Sequence, residues 1–357
     1  MKRMWMAWCV GAVMFAASPA FAQWQMVSAD GATKLNFGVL AQMQAEELQP
    51  VNTTDWQQNL FLRRFRVIVG GKVNDRISIF SETDAPNLGK GLSTGKKQDN
   101  TLLLQDAVVT YTVRSEFKVD AGMLLVPGSH NGLQSAASLL TPDYGPYSFL
   151  QSDSTQSKVG RDYGVLARGY LGDRHLEYRA GLFQGSRGTD ARQPFRGAFR
   201  VAYYPFESDT GLFYAGTTLG KRRLWSIGAG GDVQRDYRTL SADVFVDQPV
   251  KGGDAFTFQA DLTKYDGGEY FPALVEQTAI LVEAGWFFHQ AKVTPFVQYS
   301  IRDYKDAAKA DESKMLGGLA WWDAGHKFNL KAAYAILSRD KADDGKQFVL
   351  QAQLFAY

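Results

Sequence analysis

The stretch Leu103-Leu104-Gln105-Asp106-Ala107-Val108-Val109-Thr110-Tyr111-Thr112-Val113-Arg114-Ser115-Glu116-Phe117-Lys118-Val119-Asp120-Ala121-Gly122-Met123 decides the fold. Leu103, Ala107, Val109, Tyr111 and Val113 share one face of an extended chain, and Asp106, Thr110 and Thr112 take the other. After the tight Arg114-Ser115-Glu116 turn, Phe117, Val119, Ala121 and Met123 alternate with Lys118 and Asp120. A period of two marks a β-strand, whose successive side chains point to opposite faces. Two such runs across a short polar turn read as an antiparallel hairpin with one apolar and one polar face.

The same pattern repeats in both directions along the chain. Leu35, Phe37, Val39 and Ala41 share a face; Phe61, Phe65, Val67 and Val69 share another, against Arg64, Arg66 and Lys72. An Asn74-Asp75-Arg76 turn leads into Ile77 and Ile79 against Ser78 and Glu82. Tyr163, Val165, Ala167 and Leu171 oppose Asp162, Arg168 and Tyr170, and Leu176, Tyr178, Ala180 and Leu182 oppose Glu177 and Arg179. Phe199, Val201 and Tyr203 oppose Arg196, Arg200 and Tyr204. The second half carries less charge: Phe256, Phe258, Ala260 and Leu262 face away from Thr257, Gln259 and Asp261, and the final run sets Phe348, Leu350, Ala352 and Leu354 against Gln351 and Gln353.

A soluble β-sandwich shares this period, so the connections decide between the two. Short turns (Asn74-Asp75, Arg114-Ser115-Glu116, Gly172-Asp173-Arg174) alternate with long polar loops at 46–57, 85–100 and 128–160. Short turns on one side and long loops on the other belong to a transmembrane antiparallel β-barrel. Lipid offers the backbone no partners, and a closed sheet satisfies its own hydrogen bonds. Trp225, Trp286, Trp321 and Trp322 near strand ends are candidates for an interfacial girdle. About 17 segments qualify as strands where an even number is required, so 16 is expected, with 18 as the alternative. The weakest stretch is 212–247, and residues 23–32 read as a leader into the first strand.

The start of the chain reads as an address. Lys2 and Arg3 precede an apolar run, Met4 to Ala17, then Ser18-Pro19 and the small-x-small Ala20-Phe21-Ala22. This is the form of a cleavable export signal over residues 1–22. The apolar run falls short of the roughly 20 residues a spanning helix needs. Residues 23–357 then form the barrel domain. Cys9, the one cysteine, leaves with the signal, so neither disulfides nor thiol metal ligands are expected. Losing Lys2 and Arg3 from 39 basic residues brings their number level with the 37 acidic ones, which gives no argument for nucleic acid. An outer-membrane location in a Gram-negative bacterium follows, with lipid and the barrel-assembly machinery as partners. The closing Phe355-Ala356-Tyr357 suits the signal that machinery reads.

Charge on the non-lipid face is the main functional signal. Arg64, Arg66, Arg76, Arg168, Arg179, Arg196 and Arg200, with Lys118, would oppose Glu82, Asp106, Asp120, Asp162 and Glu177 across a lumen. Such rings select ions by sign; the alternative is that the charges pair to brace the wall. Loop 128–160 is the second signal, because a loop that long in an economical barrel is usually functional. It holds His130, Asn131, Asp143, Tyr144, Tyr147 and Lys158, and its aromatic run Tyr144 to Phe149 either lines a constriction or stiffens the loop. Catalytic, metal and cofactor sites are not expected: His130, His175, His289 and His326 lack metal-ligand spacing. Gly228-Ala229-Gly230-Gly231 precedes no helix and reads as small residues relieving crowding in a barrel wall.

Arg63-Arg64-Phe65-Arg66-Val67-Ile68-Val69-Gly70-Gly71-Lys72 resembles the opening hairpin of the phosphate-selective porin O/P family. So do Gly160-Arg161-Asp162-Tyr163-Gly164-Val165 and Tyr178-Arg179-Ala180-Gly181-Leu182-Phe183-Gln184-Gly185. Val126-Pro127-Gly128 with Leu133-Gln134-Ser135 is similar to the start of that family's inward loop, and Tyr214, Leu219-Gly220-Lys221, Ile227 to Gly230 and Leu350 to Phe355 continue the likeness. The resemblance implies a 16-stranded, trimeric diffusion channel with an inward-folded third loop, passing small polar or anionic solutes. Leu125 stands where that family often has lysine, and loop 128–160 is nearly free of basic residues, so phosphate specificity is not carried over. The competing function is a scaffold, a barrel that sheathes or docks a partner protein.

Overall fold

The computed structural model describes residues 24–92, 95–97 and 101–357; the export signal expected over residues 1–22 lies outside them. A closed barrel of 16 antiparallel strands fills most of the described chain. In order they are β1 (Lys34–Gln49), β2 (Gln57–Lys72), β3 (Ile77–Asp84), β4 (Leu103–Arg114), β5 (Phe117–Leu125), β6 (Arg161–Leu171), β7 (Leu176–Phe183) and β8 (Arg196–Tyr203). The second half holds β9 (Leu224–Gln234), β10 (Tyr237–Pro249), β11 (Ala255–Asp266), β12 (Gln277–Phe287), β13 (Val293–Tyr304), β14 (Glu312–Trp321), β15 (Phe328–Arg339) and β16 (Gly345–Ala356). β16 closes on β1, from Lys346 opposite Gln49 to Ala356 opposite Val39.

Trp24–Val27 adds one more strand to the sheet, pairing with residues 34–37 of β1. This corrects the reading of 23–32 as a simple leader. β1 outruns β16, and the N-terminal strip covers backbone groups that would otherwise lack partners.

The faces follow the alternation. Val109, Tyr111, Val165, Val201 and Leu350 are exposed on the outside, while Asp106, Thr110, Asp120 and Gln351 are buried inside. The polarity is inverted relative to a soluble protein, as a lipid exterior requires. One strand departs from the simple pattern. In β2 the register shifts by one residue, Gln42 standing opposite Arg64 but Met43 opposite Leu62. Such a bulge re-aims side chains. Phe61, expected outside with Phe65, therefore turns inward and is 3% exposed. Trp225, Trp286 and Trp321 face outward near strand ends, as a girdle requires, but Trp322 is buried inside and donates from Nε1 to Thr294 Oγ1 (2.9 Å).

The turns sort to two ends. Connections 73–76, 115–116, 172–175, 250–254, 288–292 and 322–327 lie at the end that carries Tyr357, and the long loops at the other. At 73–76 the side-chain carbonyl of Asn74 accepts from the backbone N–H of Arg76 (2.9 Å) and Ile77 (2.8 Å), which fixes the reversal. Three connections break the rule: 204–223, long and on the short-turn side, and 235–236 and 340–344, short and on the long-loop side. The weak stretch 212–247 is thus resolved. Residues 212–223 hold no strand, and β9 and β10 take up most of the remainder.

Candidate functional site

Two segments enter the barrel from opposite ends. The first is the loop 126–160, the inward third loop expected from the sequence. One helical turn, His130–Leu133, is capped by Ser129 Oγ, which accepts from Gly132 N (3.4 Å). Two carboxylates of the wall hold this turn: Asp243 on β10 accepts from His130 N (3.1 Å) and Asp261 on β11 from Asn131 N (3.0 Å). The loop then crosses the lumen. Lys331 on β15 donates to the carbonyls of Leu139 (2.5 Å) and Thr141 (3.0 Å), and Gln353 on β16 to that of Ala137 (2.9 Å). Its tip, Asp143, reaches β2 on the far side.

The second is 204–223, which folds back from the short-turn end and meets the first in mid-barrel. Tyr214 N donates to Leu133 O (2.8 Å), Ser135 N to Tyr214 O (2.9 Å) and Thr217 N to Ser138 O (3.0 Å). The fit is close: a Cβ on Gly216 would collide with Ser138 O. Tyr214 is the anchor. Its hydroxyl donates to Glu177 Oε2 (2.6 Å), and the guanidinium carbons of Arg179 and Arg200 lie 4.7 and 5.3 Å from its ring centroid. The His130 ring stacks between Tyr214 (5.0 Å) and Phe245 (4.1 Å). Burial there pushes its imidazole down to about 4; Asp243 opposes the shift and Arg200 adds to it.

The inward charges are largely paired. Arg66 meets Glu82 (2.6 Å) and Asp84 (3.1 Å); Arg168 meets Asp120 (2.5 Å), Arg179 Glu177 (2.7 Å), Arg196 Asp232 (2.7 Å) and Arg200 Asp243 (2.6 Å). A Cβ on Gly228 would collide with the Arg200 guanidinium, so the glycine run clears room for that last pair. These pairs brace the wall and seat the two segments. Removing one partner of such a buried pair costs about 3–5 kcal/mol, because the other charge stays buried.

The seam formed by β16, β1, β2 and β3 is different. There the bulge in β2 turns two consecutive guanidiniums onto one carboxylate. Arg63 Nε donates to Asp143 Oδ2 (2.7 Å) and Arg64 Nη2 to Oδ1 (2.5 Å), while Arg64 Nη1 donates to Gln42 (2.8 Å). Burial pushes the Asp143 carboxyl up, but the two arginines outweigh it and hold it well below the usual carboxylate range. Gln42, Arg64, Asp143 and Tyr144 stand between two cavities. On the long-loop side lies one of about 250 Å³, bounded by Arg63, Lys90, Lys314, Glu46 and Asp143. On the short-turn side lies one of about 340 Å³.

Most residues singled out from the sequence turn inward, but they do not form one ring. Arg64, Asp143 and Tyr144 come together, as do Arg66, Glu82 and Asp106; Glu177, Arg179, Arg200 and His130 surround Tyr214. Arg76 is exposed in the β2–β3 turn, where it donates to Tyr111 OH (3.4 Å), because it precedes the strand. Lys118 is half-buried near the short-turn end, Lys158 is exposed, and Tyr147 accepts at its carbonyl from Tyr265 OH (3.0 Å) away from the seam. Sequence reasoning missed Arg63, because a bulge leaves no trace in a period of two. It quoted Arg161 and the anchor Tyr214 only within the family likeness, gave no role to Lys331, and missed Asp243. The polar positions in low-charge β10 and β15, and a lone Tyr in a stretch without strand period, were the available signals.

Residues 34–220 match the family model of the phosphate-selective porins O and P. No curated protein gives a significant match. Among solved structures the chain is similar to OmpF of Salmonella typhi in complex with daunomycin: TM-score 0.61, 14% identity, covering 93% of this chain and 100% of that one. It is similar to an anion-selective porin from Comamonas acidovorans, with TM-score 0.56, 11% identity and coverage of 90% and 99%. The trimer form of OmpT from Vibrio cholerae gives TM-score 0.54, 11% identity and coverage of 90% and 99%. At these identities the structural likeness shows a shared fold.

Proposed function

The chain belongs to the phosphate-selective porin O and P family, and on that premise we propose that its lumen is a narrow, anion-preferring conduit along the β16–β3 seam, filtered by Arg63, Arg64 and Asp143. The protein is an outer-membrane channel for small solutes in a Gram-negative bacterium. Its tight turns face the periplasm, its long loops the exterior, and its apolar outer face lies against lipid.

The observation that carries the reading is the pair of consecutive arginines turned onto the loop tip by the bulge. Elsewhere on the inner face, arginine is offset by carboxylates in tight pairs. At the outer cavity, Arg63, Lys90 and Lys314 face only Glu46 and Asp143. A surplus of fixed cations draws anions inward and repels cations. Asp143 at the loop tip, set against Arg63 and Arg64, opposes a multiply charged anion, which favours monovalent anions over phosphate.

The test is the reversal potential of single channels in planar bilayers under a KCl gradient. The sign for chloride over potassium is expected, and Arg63→Ala with Lys314→Ala should move it toward zero. A cation-selective wild type would overturn the reading. The densely filled lumen is the one observation that favours a scaffold instead. Folded protein without stepwise conductance would decide for it. The neighbouring trimer form of OmpT motivates a homotrimer here, checked by the mass of the unheated protein in detergent.

A further inference from the structure

The cavity on the periplasmic side of the filter is unlike the rest of the lumen. Inner positions of three adjacent strands are apolar there: Leu40 on β1, Ile68 on β2 and Phe80 on β3. Phe80 meets Phe213 of the 204–223 segment edge-on (centroids 5.2 Å, 65°) and Tyr357 at the chain's end (6.2 Å, 87°). The three rings make an aromatic corner of a space of about 340 Å³. A hydrated diffusion pore presents polar side chains to water. An apolar, partly enclosed space of a few hundred Å³ with a few convergent polar groups has the character of a small-molecule site.

One polar group in its wall is short of a partner. Arg161 is buried, at 2% exposed, and its Nε and Nη1 donate to Asp106 (3.3 Å) and Val159 O (2.9 Å). Its Nη2 has Glu82 as nearest carboxylate at 3.7 Å, beyond hydrogen-bond distance. A solute arriving past Arg63 and Arg64 has been selected for negative charge. A small inorganic anion would gain one donor but lie beside Glu82, whose charge is already taken up by Arg66, and would otherwise face mainly hydrocarbon; an apolar cation would meet the guanidiniums of Arg66 and Arg161.

We propose that this chamber binds a small organic anion, a carboxylate carried on a ring or branched hydrocarbon body. The carboxylate sits on Arg161 Nη2 and the body in the corner of Phe80, Phe213 and Tyr357. The proposal rests on the reading that solutes cross by the seam, and the assay separates the two. Calorimetry on the purified, detergent-folded protein compares sodium benzoate with sodium acetate and with benzyl alcohol. Saturable benzoate binding is expected, about ten-fold tighter than either half-probe. Phe213→Ala should weaken benzoate and leave acetate unchanged; Phe213 lies off the barrel wall, so the strand pairing is not at stake. Arg161→Gln should reduce benzoate to the level of benzyl alcohol. Benzoate binding no tighter than acetate, or indifferent to Phe213→Ala, overturns the site. Current in planar bilayers reports separately: a conducting channel without benzoate preference overturns this site alone, and benzoate binding without conductance overturns the seam route while supporting the site.

Discussion

The two sides of the lumen are built from the same alternating strands but solve different problems. Between β7 and β11 the inner face meets protein: the helical turn at His130 and the 204–223 segment occupy the space, and nearly every charge has a fixed partner. Along the seam from β16 to β3 the inner face meets two cavities, and its arginines converge on a loop tip whose carboxylate is half-exposed. Pairing neutralises charge on the first side and leaves an excess of cations on the second. A charged inner strand is thus not by itself a filter; what lies opposite decides.

The contrast breaks most directly if the filling is removed. Replacing residues 208–219 by a short Gly/Ser link should open the β7–β11 side and raise single-channel conductance several-fold. Unchanged conductance would mean the segment does not narrow the path. Asp243→Asn tests the same side without deletion. It strands Arg200 and slackens the carboxylate holding His130 N, and should cost about 3–5 kcal/mol of stability, read as a lower urea midpoint. The equivalent change on the seam, Asp143→Asn, removes a carboxylate that is itself 38% exposed; Arg63 keeps some contact with water, and buried Arg64 keeps its bond to Gln42. It should cost less stability than Asp243→Asn while strengthening anion preference in the reversal potential. Equal stability losses at the two positions would erase the distinction between brace and filter.

How much of this was legible in the sequence follows the same division. Strand faces were readable wherever period two is unbroken, as in Phe256 to Leu262 and Phe348 to Leu354, because lipid and lumen impose opposite polarity on alternate residues. The bulge that pairs Arg63 with Arg64 was not, since one extra residue resets the period without changing composition. The inward course of 128–160 was signalled by its length and by family resemblance. That of 204–223 was not, because a segment packed inside a barrel must satisfy its backbone through distant partners such as Leu133 and Ser138, which no local pattern encodes. Arginine on an inner strand reads the same in sequence whether it braces the wall, as Arg200 does against Asp243, or converges on a loop tip beside a cavity, as Arg63 and Arg64 do. That split is set by tertiary contacts alone.

The smallest expected effect concerns the clasp between the two inward segments, and it carries a sign. Seated, His130 is held near 4 by burial, whereas free in water an imidazole titrates near 6.5. A detached loop therefore takes up a proton that the seated loop refuses. Detachment becomes easier as pH falls from about 6.5 toward 4, and seating is insensitive to this group above that window. The surroundings of the ring come from every wall it meets: Asp243 and Phe245 on β10, Arg200 on β8, Glu177 on β7 and Tyr214 with Ala215 O on the second segment. Arg200 opposes a second positive charge there, so Asp243 alone does not rescue the protonated ring. Single channels should show more frequent openings to a larger conductance at pH 5 than at pH 7.5, by a few-fold. His130→Phe keeps the stack between Tyr214 and Phe245 but has nothing to protonate, and should flatten that dependence. If His130→Phe gates with pH as the wild type does, the clasp is held by other groups, and the filled side of the lumen is as fixed as the barrel wall around it.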